Sequence, residues 1–185
     1  MLVLSPAAVL AGAAAPTSTA PTSAAAAASG AYLRRLFRLE RALEKPSAER
    51  RALARRLVDE FRRATDEDET IRLASLLGIH RIQEAVEPLA ERLTFRTDLL
   101  NDNQIGYWGR YPAAGALIEI GPPADRAMIK VLAERDDPDS RRLALLVLDR
   151  ILGEEEAAQA ALSRAASKEA DPAKQRRLLA AAQRK

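Results

Sequence analysis

The amino-acid sequence predicts an all-α fold, built from about four helical hairpins in series and a terminal capping helix. From residue 31 onward the apolar residues recur at intervals of three and four, the period of an amphipathic helix. We find no run of four to eight residues that alternates between apolar and polar side chains as a half-buried strand would. Glycines after apolar runs, and Asp-Pro pairs before them, indicate that helix ends and starts repeat along the chain.

The predicted hairpins follow one another from residue 31 to residue 185. Pro46 and Ser47 break the first helix and cap the next one. Thr65 or Asp66 then caps a third helix, whose first turn is acidic, as the helix dipole favours. We expect hairpins at 31–65, 66–93, 105–134 and 137–168, and half of a further unit at 171–185.

The repeat is visible in the residues at which the predicted helices begin and end. We expect Gly78, Gly121 and Gly153 each to close a first helix, because glycine takes the left-handed conformation at little cost. The apolar stripe that begins at Ile82 is matched by one that begins at Ala124, a spacing of 42 residues.

The last two helix starts share a second pattern. Asp137-Pro138 and Asp171-Pro172 each place a capping acid before a proline at the first helical position, where proline is tolerated. An Arg-Arg-Leu sequence follows in both cases, and we expect the arginine pair that begins at Arg141 to lie outside the stack.

These segments resemble a known repeat family. "TIRLASLLGIHRIQEAVEPLAERL", "RYPAAGALIEIGPPADRAMIKVLAE" and "DPDSRRLALLVLDRILG" resemble HEAT and HEAT-like (armadillo-type) helical repeats. The likeness covers the last three hairpins well and the first only in general terms, whereas tetratricopeptide repeats fit worse. The resemblance implies a curved α-solenoid whose second helices line the concave side, and a function in binding other proteins.

The first thirty residues form a separate segment. Residues 1–10 resemble the apolar core of a secretory signal and residues 11–13 fit its cleavage pattern, but no Lys or Arg precedes them. Two interpretations stay open: a signal peptide of an exported or periplasmic protein, or a low-complexity tail of a cytoplasmic one. The apolar stretch is too short for a transmembrane helix.

Composition argues against several kinds of chemistry. The chain has no cysteine and a single histidine, which excludes disulfides, thiolate sites and multi-histidine metal sites. "NDNQIG" matches the start of an EF-hand loop but fails at Ile105 and Pro112, where calcium ligands are required. His80 has no nucleophile or acid convincingly placed to partner it. We therefore predict no enzyme activity, no cofactor and no metal site.

The unusual segment 94–112 holds the only tryptophan and a long connection between hairpins. Two interpretations remain. The segment forms a partner-binding patch, since Trp, Tyr and Arg dominate interface hot spots, or its aromatics fill the core of one helix from Ile105 to Ile120 that is kinked at Pro112. The candidate patch residues are Asn101, Asp102, Asn103, Tyr107, Trp108, Arg110 and Tyr111.

The charge of the chain is concentrated in the first hairpin. Residues 31–65 carry 11 basic and 5 acidic side chains, against a net charge of +3 for the whole chain. Interleaved acids favour a solvated surface over a phosphate-binding one. The sequence thus predicts a protein-protein interaction scaffold, with a nucleic-acid-binding domain as the alternative. The candidate phosphate contacts of that alternative are Arg34, Arg35, Arg38, Arg51 and Arg55.

Overall fold

The computed structural model describes residues 48–98 and 108–183, and this part of the chain contains helices and no strand. The all-α prediction is confirmed there. The predicted N-terminal segment, 1–30, and the helix before Pro46 lie outside the described residues. The α-helices are α1 Ala48–Arg63, α2 Glu67–Ile79, α3 Val86–Glu91, α4 Pro112–Ile120, α5 Asp125–Glu134, α6 Pro138–Leu152, α7 Glu155–Ala166 and α8 Pro172–Ala182.

The helices pack in two rows. One row runs α2, α4, α6, α7, and the other runs α1, α3, α5, α8, with each helix in contact with the next in its row. Contacts also join the rows in pairs: α1 with α2, α3 with α4, α5 with α6 and α7 with α8. The last helix therefore lies against both α5 and α7. Within the described ranges, no helix has the combination of length and apolar composition that a membrane span requires.

Leucine and alanine make up most of the core between the rows. One face of α1 lies in this core, because Leu57, Val58 and Phe61 are all buried. Alanine is the smallest side chain that still favours a helix, so alanine-rich faces let helix axes approach closely. Neighbouring helices can consequently lie close together, and the core depends on close backbone approach more than on large side chains.

Gly78 shows this close approach most clearly, and our prediction that it ends a helix is wrong. It is buried within the last turn of α2, where an added Cβ would lie 2.7 Å from the Cα of Ala116 in α4. No real Cβ contact is that short, so the packing of α2 on α4 requires glycine here. Gly121 and Gly153 do follow the last residues of α4 and α6, both with a φ of 82°. Only Gly153, with a ψ of −22°, has the predicted left-handed conformation, because the ψ of Gly121 is −143°.

The end of α2 is instead formed by Arg81, which has a φ of 51°. Its backbone N–H donates to the carbonyl of Gly78 (2.8 Å), and the N–H of Ile82 donates to the carbonyl of Leu77 (2.9 Å). This pair of hydrogen bonds is a Schellman motif, and the buried Ile82 and Leu77 supply its usual apolar contact. Arginine thus occupies a left-handed position that normally belongs to glycine.

The second-helix stripes do repeat, but the structural spacing is 39 residues and not 42. A 3₁₀ turn precedes α3 at Gln83–Ala85, and another precedes α5 at Pro122–Ala124. The sequence match was wrong by three positions, because apolar residues at intervals of three and four also coincide after a shift of three. The fully buried positions correspond as Ala85 with Ala124, Leu89 with Met128, and Leu93 with Leu132.

Aspartate caps begin three helices as predicted. Asp66 Oδ1 accepts from the N–H of Glu69 (2.8 Å), and Asp137 Oδ1 accepts from the N–H of Ser140 (2.7 Å). Asp171 caps α8 in the same way. The hydrogen bond from the Ser140 backbone N–H holds the pKa of the Asp137 carboxyl below its usual value.

Arginines from neighbouring helices cap the other helix ends. Arg92 donates to the carbonyls of Ala64 (2.9 Å) and Arg62 (2.8 Å) at the end of α1, with its guanidinium 5.1 Å from the centre of the Phe61 ring. A helix leaves its last carbonyls without intrahelical partners, so these contacts satisfy groups that would otherwise lose water on packing. Arg92 therefore joins α1 to the end of α3.

Arg141 and Arg177 do the same at the end of α5. Arg141 donates to the carbonyls of Leu132 (2.6 Å) and Arg135 (3.2 Å), and Arg177 to that of Ala133 (3.1 Å). The expectation that the pair beginning at Arg141 lies outside the stack is wrong for Arg141, whose side chain is partly buried. The second arginine, Arg142, is exposed as expected.

Two exposed ion pairs link helices of the second row. Lys130 of α5 lies 3.2 Å from Glu87 of α3, and Lys174 of α8 lies 3.0 Å from Glu134 of α5. The hydrogen bond from Lys174 lowers the pKa of Glu134, and the same bond raises the pKa of Lys174. Exposed ion pairs contribute little to stability, so the helix packing is stabilised mainly by the capping arginines and the buried core.

Gly78→Ala tests the close approach of α2 and α4. Alanine adds helix propensity, but its Cβ forces two backbones apart, so we expect a net loss of about 1 kcal/mol or more in the free energy of unfolding. Urea denaturation measures it. The matched control is Ser75→Ala at an exposed position of α2, with an expected change within about 0.5 kcal/mol. A stabilised Gly78→Ala variant would contradict the packing described.

Asp137→Asn tests the charge at the start of α6. Because the folded pKa of Asp137 lies below its ordinary value of 3.8, the carboxylate stabilises the fold above that pH. This stabilisation is lost as the pH falls through the folded pKa. Asparagine keeps an acceptor for Ser140 but does not titrate. We expect the melting temperature of the variant to fall less than that of the wild type between about pH 5 and about pH 2, and parallel curves would refute this.

Candidate partner-binding surface

An open groove lies beside the first described helix. It has a volume of about 970 Å³, which is the size of a site for a large ligand or part of a polypeptide. One wall is the N-terminal half of α1, and the other is the turn that follows α2. The described residues that line it are Ala48, Arg50, Arg51, Ala54, Arg81, Ile82, Gln83 and Glu84.

The two walls are joined by Arg50. Its Nη2 donates to the carbonyl of His80 (3.2 Å), at the end of α2, so this guanidinium is partly committed to holding the groove together. The Nε2 atom of His80 is buried, and it has no hydrogen-bond partner among the residues that the structure describes. Among the described residues, no group of three or more His, Cys, Asp or Glu is placed to hold a metal ion.

Arg51 and Arg81 are the exposed cations of the groove. Within the described ranges, neither side chain makes a hydrogen bond or an ion pair, in contrast to Arg56, whose Nε lies 3.1 Å from Glu60. Ala54 and Ile82 also line the groove, but each is only 3% exposed, so they offer it almost no apolar surface. The exposed side chains of the groove are therefore mainly charged or polar.

The candidate phosphate contacts are only partly brought together. Arg51 lines the groove, and Arg55 is exposed on α1 but is not among the lining residues. Acidic side chains accompany them, since Arg62 pairs with Asp59 as Arg56 does with Glu60. Arg34, Arg35 and Arg38 lie outside the described residues.

The aromatic patch predicted near residue 108 lies mainly against the core. Trp108 and Tyr111 are half-buried and pack on the apolar cluster, and the backbone of Trp108 passes close to Gly115, where an added Cβ would lie 3.4 Å from its carbonyl oxygen. The Arg142 guanidinium lies 6.0 Å from the centre of the Tyr111 ring. Asn101, Asp102, Asn103 and Tyr107 lie outside the described residues.

The expected single helix from Ile105 to Ile120 is wrong in its described part. Trp108 and Gly109 are helical, the helix is interrupted at Arg110 and Tyr111, and α4 begins at Pro112. Thr97, which is fully buried, donates its backbone N–H to the carbonyl of Arg110 (2.9 Å). This hydrogen bond therefore joins the first described segment of the chain to the second.

The groove was not predicted as a site. Sequence reasoning considered Arg51 only as a phosphate contact and did not consider Arg81, Gln83 or Glu84. A signal was present in "GIHRIQE", where a polar segment with an arginine follows the end of an apolar helix. The left-handed backbone of Arg81 could not be predicted from the sequence, because glycine is the residue expected at such a helix end.

No family model, curated protein or solved structure matches the chain. The resemblance to HEAT repeats therefore remains a prediction from the sequence. The groove and its arginines are likewise identified from the structure of this chain alone.

Trp108→Ala measures how far this side chain belongs to the core. Full truncation of a buried tryptophan costs about 3–5 kcal/mol, so for a half-buried one we expect a loss of about 2 kcal/mol in the free energy of unfolding. Chemical denaturation gives the value. Trp108→Phe, which keeps most of the packing, should cost less. If Trp108→Ala melts like the wild type, the side chain is available to a partner.

Proposed function

We propose that this protein is a non-catalytic protein-binding module, built as a HEAT-like α-solenoid of about four helical hairpins. Three features support the stack: the pairing of helices between two rows, the repeat of buried positions at a spacing of 39 residues, and the capping of helix ends by arginines from neighbouring helices. Each feature recurs along the chain, as expected when similar units pack in series.

The groove beside α1 is the observation that carries the binding function. Arginine is enriched at the energetically important positions of protein interfaces. Arg51 and Arg81 are both exposed in this groove. A surface of this kind favours a partner that presents acidic groups to the two arginines.

A nucleic-acid-binding domain is the second candidate function. Arg51 and Arg55 favour it, because both are exposed and have no ion-pair partner in the described part of the chain. The acidic Glu84 weighs against it, because Glu84 lines the same groove and would repel a uniform polyanion.

Affinity capture followed by reconstitution separates the two candidates. The tagged chain, with its own N-terminus, is used as bait in its native host, and each retained protein is then purified. We expect one of them to form a complex with the purified chain in size-exclusion chromatography after nuclease treatment. If no purified protein binds, the proposed function is wrong.

Electrophoretic mobility-shift assays with single- and double-stranded DNA, at two salt concentrations, test the second candidate. If the protein is a protein-binding module, neither DNA should show a strong shift in mobility. Tight binding that weakens steeply as salt increases would replace our proposal with the second candidate.

A further inference from the structure

We propose that helices α7 and α8 form a hairpin that opens from the rest of the fold as one body, about the connection at Gly153, and that Arg177 controls this opening. The inference goes beyond the binding function proposed above and does not depend on it. It follows from three properties of the hairpin: its small apolar anchorage, the polar contacts of Arg177 and the connection that precedes α7.

The hairpin has a small apolar anchorage. Each of its helices buries one leucine and two alanines: Ala158, Leu162 and Ala166 in α7, and Leu178, Ala181 and Ala182 in α8. By comparison, α6 alone buries two leucines, a valine, an alanine and a serine. The two helices of the hairpin also contact each other more extensively than α7 contacts α6 or α8 contacts α5. Because regions with few buried apolar contacts open more readily than the core, we expect α7 and α8 to open early and together.

Polar contacts of Arg177 attach the hairpin to the end of α5. Its Nε and Nη2 atoms lie 2.7 Å and 2.8 Å from the two carboxylate oxygens of Asp136, and its Nη1 donates to the carbonyl of Ala133 (3.1 Å). The carbonyl of Arg177 accepts a hydrogen bond from Arg141 of α6 (3.2 Å). A two-point contact between an arginine and a carboxylate is stronger than a single-point surface ion pair. Arg177 therefore joins the hairpin to both α5 and α6.

The contact between Arg177 and Asp136 is sensitive to salt. The Asp136 side chain is 73% exposed and the Arg177 side chain 32% exposed, so ions in solution reach the pair and screen it. Apolar burial is not screened in this way. Added salt should therefore shift the hairpin toward the open state while the helices of the core stay closed.

Gly153 provides the position at which the hairpin can turn. The connection between α6 and α7 is residues 153 and 154, and Gly153 is exposed. An added Cβ at Gly153 would meet no atom of the described residues within 4 Å, so no side chain fixes the backbone there. Hinges are typically a few loop residues whose backbone dihedral angles change. The hairpin can thus move as one body without unwinding either helix.

Native-state hydrogen exchange of the purified full chain tests the inference, with mass spectrometry of peptides from each helix. We expect the amides of α7 and α8 to share a protection factor that is lower than that of α2 and α4. Raising sodium chloride from about 20 mM to about 500 mM should lower protection in α7 and α8 further, and not in α2 and α4. The wild type alone therefore tests both the opening and its dependence on ions.

Arg177→Met removes the polar contacts of the side chain and keeps an unbranched apolar stem. We expect protection of α7 and α8 to fall about tenfold or more, with α2 and α4 unchanged. Arg176→Met is the matched control, because Arg176 is exposed on the same helix and donates to the carbonyl of Pro172 within that helix. The control should change protection by less than about threefold.

Three kinds of outcome would overturn the inference. If α7 and α8 exchange only as slowly as α2 and α4, the hairpin does not open separately. If α8 is less protected while α7 is protected as well as α6, the hairpin is not the unit that opens. If the two substitutions have equal effects, or if salt leaves protection in α7 and α8 unchanged, Arg177 does not control the opening.

Discussion

The carbonyl groups left open at helix ends are the constraint on which the packing of this protein depends. The described helices are short, between 6 and 16 residues, and each leaves its last turn of carbonyls without intrahelical partners. Arg92, Arg141 and Arg177 satisfy several of them from other helices. The same contact therefore completes one helix and fixes its distance from another. An arginine-rich composition has a structural use here that is separate from any charged ligand.

The alanine-rich core makes the contacts between arginines and helix ends more important. Alanine contributes little apolar area per residue, so close backbone approach has to supply contacts that larger side chains would otherwise make. Gly78 against Ala116 is the extreme case, and it belongs to the contact between α2 and α4, the most extensive one among the described helices. Small residues and long arginines are complementary: the former bring helices together, and the latter reach around their ends.

The parts of the fold that could be predicted are those determined by local sequence. Asp137 was recognised as a cap, because a capping aspartate interacts with backbone only three residues away. The prediction for Gly78 was wrong, because a neighbouring helix decides whether a glycine ends a helix or accommodates a close contact. Arg141 was placed outside for the same reason: its acceptors belong to α5. The groove escaped prediction because its two walls come from α1 and the turn after α2, and only packing brings them together.

The order of packing has a consequence for how the chain folds. Each extensive contact joins helices with at most two others between them along the chain, the widest being α5 with α8. Contacts of short sequence separation require little loop-closure entropy before they form, and proteins dominated by them fold rapidly. Each helix can dock as soon as its neighbours are in place, without waiting for distant parts of the chain. The packing that places capping arginines from neighbouring helices at helix ends thus also favours rapid folding.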